Sequence, residues 1–167
     1  MINSKAKGNR FELKVAKLLT VRFGVDFSRV PCSGGLHWQG DSRVSGDIVP
    51  PVDWFWPYSL ECKDRSFELS IPQLMAGKGP LSDWYEQANK DAMRAGDGYA
   101  PVVVFNVARR GIYALIDESQ INTYRPINSI VLPNDLVILD FDYWMDDAAA
   151  VAGPKSVVTD TVNIWHW

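Results

Sequence analysis

The run PVVVFNV, residues 101–107, constrains the fold more than any other stretch of the chain. It is apolar at every position but Asn106, as a strand buried inside a sheet would be. A second strand-like run, GIYALID, follows across the turn ARRG, and the later stretch NDLVILDFDYW holds at least one more strand. Ahead of these, Ser4–Phe23 reads as a helix. Phe11, Val15, Leu18, Leu19 and Phe23 recur at helical spacing, while Lys5, Lys7, Lys14 and Lys17 fall mostly off that stripe. Gly24 supplies the stop. The segment LSDWYEQANKDAMRAG reads as another helix, with Asp83 and Glu86 as a capping box and Gly96 as its end. Helix, strands, helix, strands is the order of an α/β domain with a mixed sheet. At 167 residues the chain suits one domain, residues 1–167, with 124–167 extending the core.

The charge balance does not advertise a nucleic-acid binder: 17 Lys and Arg stand against 20 Asp and Glu, for a net charge of −3. The charges are segregated, however. Lys5, Lys7, Arg10, Lys14, Lys17, Arg22 and Arg29 crowd one end with only Glu12 and Asp26 among them, whereas residues 135–147 carry five aspartates and no base. A local phosphate-binding face is compatible with that segregation. The two cysteines, Cys32 and Cys62, form no disulfide pattern; a reducing cytoplasm with both thiols free is the expected setting. The N-terminus lacks the apolar run of a signal peptide, and no stretch approaches a membrane span.

Chemistry concentrates around YSLECKDRS, residues 58–66. As a strand it places Tyr58, Leu60 and Cys62 on one side and Ser59, Glu61 and Lys63 on the other, so a carboxylate and an ammonium stand side by side. Upstream, PCSGGLHWQGDSRVSG (31–46) is rich in Gly and Ser and reads as a mobile loop. Asp47 to Val49 then begin a strand, and an aromatic connection bounded by prolines leads back to the Glu61 strand in an expected antiparallel pair. Asp47 and Glu61 are hard oxygen donors that suit Mg²⁺, with Mn²⁺ as a substitute. Glu12, bordering the inward face of the first helix, offers a third carboxylate. Lys63 is placed to orient a water or to neutralise charge on a phosphate.

Each of these residues also has a plain structural explanation. Glu61 and Lys63 on any exposed strand would form a weak ion pair; Asp47 in SGD fits a turn. Asp140 and Asp142 share a face if their stretch is extended, and a solvated edge explains them better than a metal pair. His37 and His166 have no partner at ligand spacing, and GKGP is a turn without the spacing of a phosphate loop.

The order of the four charged groups resembles a known pattern. Asp47 followed by Glu61-Cys62-Lys63 is similar to the signature of the PD-(D/E)XK nuclease superfamily, with Gly46 in place of the usual proline. KGNRFELKVAKLL, SRVPCSGG, GDI and ECKDR together resemble the archaeal-type Holliday junction resolvases and their phage relatives. The resemblance implies a restriction-endonuclease-like core and an active site of Glu12, Ser33, Asp47, Glu61 and Lys63. Asp47, Glu61 and Glu12 would hold the metal, and Gln87 would match a glutamine often carried on the next helix. It further implies DNA as partner, branched DNA in particular, a homodimer, and the host cytoplasm for a phage-encoded chain. Lys5, Lys7, Arg10, Lys14, Arg29 and Gln87 are the expected DNA contacts. Two other classes stay open: a restriction-type or repair nuclease on duplex DNA, and a non-catalytic DNA-binding module with the same fold.

Overall fold

The computed structural model describes residues 4–30, 45–64, 70–96 and 98–158. Helix α1, Ser4–Phe23, runs as the apolar stripe requires, with Phe11, Val15, Ala16 and Leu19 buried. Gly24 ends it in the left-handed region (φ 68°), its N–H donating to the Thr20 carbonyl at 2.9 Å. The following strand is shorter than residues 25–30 imply. β1 spans Ser28–Arg29 and pairs antiparallel with β2, Ile48–Val49. Further on come β3, Trp54–Phe55, and β4, Tyr58–Lys63.

The link between Asp47 and the Glu61 strand differs from the expected antiparallel pair. Gly46 and Leu60 form an isolated parallel bridge, and the Asp47 N–H donates to the Leu60 carbonyl at 2.6 Å. The proline-bounded connection carries the chain far enough round for β4 to run alongside, rather than against, the Asp47 segment.

The segment read as a polar linker contains a short helix, α2, Ile71–Met75, before α3, Pro80–Ala95. The expected capping box is absent: Gly79 is the cap residue, Pro80 opens the helix, and the Asp83 N–H already donates to the Gly79 carbonyl at 3.1 Å. Proline needs no N–H partner in the first turn, which favours this earlier start.

β5, Ala100–Val107, and β6, Gly111–Asp117, form the expected hairpin. β7, Ile130–Val131, and β8, Leu136–Asp140, complete a five-stranded sheet in the order β4-β5-β6-β8-β7. Only the β4–β5 pair is parallel, so the sheet is mixed. The residues DFDYW do not extend β8 as a strand. Asp140 accepts from the Asp142 N–H at 2.9 Å and caps α4, Phe141–Ala148. Asp140 and Asp142 are thus a helix start rather than a strand face. β9, Gly153–Pro154, pairs with β3 and leads into α5, Lys155–Val158.

Both faces of the sheet are covered, as the apolar β5 demands. Val102 and Val104 pack with α1 and α4 residues such as Leu19 and Trp144, while Val103 and Phe105 pack with Leu81, Trp84 and Ala88 of α3. All four β5 side chains are inaccessible to water. The segment after 124 supplies β8 and α4 to this same core. Among the described residues no helix is long and apolar enough to cross a membrane.

A buried carboxylate anchors this end of the molecule. Asp147, 2% exposed, accepts from the Asn122 and Thr123 N–H groups and from the Thr123 hydroxyl at 2.6 Å. The Asn122 amide also donates to the Tyr58 hydroxyl at 2.9 Å, which ties this network to the start of β4. Asp147→Ala leaves those donors unpaired and is expected to cost about 3 kcal/mol. Denaturant unfolding measures it, and a loss under about 1 kcal/mol would mean that water replaces the carboxylate.

Candidate active site

β4 alternates sides, and the two sides meet different layers. Tyr58, Leu60 and Cys62 face the α1 layer of the core. Glu61 and Lys63 face α3, where Gln87 meets them. The Lys63 ammonium donates to Glu61 Oε1 at 2.6 Å and to Gln87 Oε1 at 3.1 Å. Both charged side chains are largely enclosed, with Lys63 12% and Glu61 14% exposed.

Asp47 reaches the same place from the Gly46 bridge. Its Oδ2 accepts from the Cys62 N–H at 2.8 Å, which fixes the carboxylate beside the Glu61 strand. Burial and the nearby Glu61 carboxylate push its pKa up from 3.8 to about 7, with Glu12 adding to the rise. The Cys62 N–H and Lys63 oppose the shift without cancelling it. Burial, with Asp47 and Glu61 beside it, raises the Cys62 thiol as well, so its thiolate is disfavoured and its packing role is the sufficient one.

Glu12 arrives from α1, one turn past Gly8. Its Oε2 accepts from Arg29 of β1 at 2.9 Å. Arg29, expected among the DNA contacts, is therefore turned toward the acidic group. Lys7 is paired with Asp64 at 3.4 Å, and Asn106 donates to the same Asp64 oxygen at 3.0 Å. Arg10 and Lys14 stand exposed on α1. Ser33, and the side chain of Lys5, lie outside the described residues.

The structure thus gathers Glu12, Asp47, Glu61, Lys63 and Gln87 from α1, the Gly46 bridge, β4 and α3. Glu12, Asp47, Glu61 and Gln87 line a cleft of about 640 Å³ whose walls also include Ser45, Asp91 and Arg94, while Lys63 stands behind that wall, bonded to Glu61 and Gln87. Sequence reasoning misses those three. Asp91 and Arg94 follow Gln87 by four and seven positions, a spacing that places them on its helix face. Ser45 carries no comparable signal; its hydroxyl is buried and makes no hydrogen bond among the described residues.

The donor set fits a divalent cation. Two carboxylates that repel each other in a partly dehydrated cleft would be stabilised by a cation between them; burial first and the Glu61 charge second raise the Asp47 pKa there. Among the described residues no three His, Cys, Asp or Glu side chains form a ready-made cage. Glu12, paired with Arg29, thus does not close a three-carboxylate cage with Asp47 and Glu61.

A mixed sheet between helical layers, with carboxylates and a lysine at the edge where β4 meets the Asp47 segment, defines a nuclease core of the PD-(D/E)XK type. The family described as "Phage putative PDDEXK endonuclease" matches residues 3–145, and the chain belongs to it. It is similar to Protein D14 of Escherichia phage T5, with 25% identity over 159 residues that cover 89% of this chain and 95% of that protein. No solved structure matches the chain.

Proposed function

We propose that the protein is a Mg²⁺-dependent DNA endonuclease that cuts four-way junctions as a homodimer. The observation that carries the metal-dependent reading is the convergence of the Asp47 and Glu61 carboxylates on the wall of one open cleft, with Asp47 held by the Cys62 N–H and Lys63 bonded to Glu61. Asp47 and Glu61 hold the metal, Mn²⁺ substituting for Mg²⁺, and Glu12 supports the site from α1. When bound, the cation polarises the phosphoryl oxygen and acidifies water. Lys63, locked between Glu61 and Gln87, directs its ammonium at the attacking water and at charge gathering on the phosphate. Gln87 holds Lys63 and Glu61 in place. The Cys62 N–H keeps the Asp47 carboxylate aimed.

The junction reading rests on the resemblance of the N-terminal motifs and on symmetry. A four-way junction presents two equivalent strands, and two sites related by a two-fold axis nick them together. An acidic chain supplies little non-specific attraction to plain duplex, so a branched target must be recognised by shape.

The test is cleavage of four-way junction, flap, linear duplex and single strand at equal concentration, with Mg²⁺, Mn²⁺, Ca²⁺ or excess chelator. Junction is expected to be cut fastest, with Mg²⁺ and Mn²⁺ active and Ca²⁺ weak. Paired nicks and a dimeric mass in solution accompany that result. Undiminished cutting in chelator overturns the metal reading. Sequence-limited cuts in linear duplex by a monomer would instead identify a restriction-type nuclease, and DNA binding without cutting a non-catalytic module.

A further inference from the structure

The cleft has an electrostatic problem that its reacting groups do not solve. Its walls carry four carboxylates, Glu12, Asp47, Glu61 and Asp91, and the one cation among the described lining residues is Arg94. Arg29 and Lys63 are already committed to Glu12 and Glu61, so a phosphodiester strand entering there finds an exposed cation along α3. We infer that Arg94 is a positioning residue that grips a backbone phosphate flanking the one to be cut. The inference rests on the nuclease reading and names a contact within it.

The placement follows from the helix. Gln87, which touches Lys63 and Glu61, and Arg94 are seven residues apart, two turns of α3, so they share a face. At 1.5 Å per residue the separation is about 10 Å along the axis. With the scissile phosphate beside Glu61 and Lys63, Arg94 meets the backbone one or two nucleotides away.

The side chain is also free to do this. Arg94 is 78% exposed, and among the described residues its ion pair is with Asp91, three residues earlier on the same helix. An exposed pair of that kind is worth little, so a phosphate, which accepts two parallel hydrogen bonds from guanidinium, can displace the carboxylate. Asp91, 24% exposed, then acts as a holder that keeps the guanidinium at the cleft until DNA arrives.

The experiment measures DNA binding against salt with Mg²⁺ absent, and cleavage kinetics with Mg²⁺ present, for wild type, Arg94→Ala, Arg94→Lys and Asp91→Asn. Loss of one phosphate contact lowers the slope of log K against log salt by about 0.9 for duplex arms. Arg94→Ala is expected to show that drop and a KM raised about tenfold with kcat within a factor of two. Arg94→Lys restores the slope but only part of the affinity, and Asp91→Asn tightens binding several-fold. Unchanged melting temperatures set aside a folding effect. An Arg94→Ala slope equal to wild type overturns the inference; the nuclease reading survives that outcome if wild type cleaves, and fails separately if it does not.

Discussion

Asp47→Asn is expected to abolish cleavage and at the same time to make the metal-free protein more stable at pH 8. The loss of activity, on the order of a thousandfold or more, would follow from removing the charge proposed to hold the cation. The gain in stability follows from the raised pKa. A carboxyl that titrates at 3.8 in the unfolded chain and at about 7 in the folded one binds its proton more tightly when folded. Its favourable contribution is complete below pH 3.8 and is lost as pH rises through 7, so above pH 7 the ionised Asp47 strains the fold. The full shift corresponds to about 4 kcal/mol. Because the carboxyl is only half-buried at an open cleft, about 2 kcal/mol is the expected effect. Asparagine keeps an oxygen for the Cys62 N–H and cannot ionise.

The variant should therefore melt about 5 °C above wild type at pH 8 in chelator, with the gap closing near pH 4. Added Mg²⁺ should raise the wild-type melting temperature and leave Asp47→Asn unmoved. Lys63→Ala should also lose cleavage but without this pH signature, since it removes a charge that favours ionised Asp47. A wild type and Asp47→Asn that melt together from pH 4 to pH 8 would show that Asp47 is not crowded by its neighbours. Parental cleavage by either variant would remove it from the active-site assignment.

Much of this arrangement is legible in the residues themselves. The α1 stripe from Phe11 to Phe23 and its Gly24 stop define that helix, and the alternation of YSLECK puts Glu61 and Lys63 on one side before any partner is known. The gathering of Glu12, Asp47, Glu61 and Gln87 is legible only through the resemblance, because it joins residues up to 75 positions apart. Strand direction is not legible at all. Alternation fixes which face a residue takes and says nothing about whether its neighbour runs parallel, so the Gly46–Leu60 bridge had to come from the fold. Phe141, Trp144, Met145 and Ala148 do have helical spacing, but the apolar run LVIL before them continues the strand pattern and conceals the Asp140 cap.

Gly46→Ala is expected to damage both fold and catalysis, and its size can be separated from ordinary backbone strain. Gly46 stands where the superfamily signature places proline, and its φ of 78° explains the exchange: proline is confined near −65°. The position is also crowded. A Cβ there would lie 2.2 Å from the Leu60 carbonyl oxygen and 2.8 Å from the Leu60 nitrogen, in the backbone of β4. Neither can move without breaking the bond from the Asp47 N–H to Leu60. The Asp47 carboxylate would then drift from the Cys62 N–H that aims it. Gly24 provides the control, since its φ is 68° but a Cβ there meets nothing within 4 Å. Gly24→Ala should cost about 1 kcal/mol, the conformational penalty alone. Gly46→Ala should cost about 3 kcal/mol or more and slow single-turnover cleavage about a hundredfold, as an ångström of misplacement does. Gly46→Pro should be worse on both counts. Melting curves and single-turnover rates for the three variants decide it: if Gly46→Ala melts with Gly24→Ala and cuts at the parental rate, the close approach of Gly46 to β4 is not what positions Asp47.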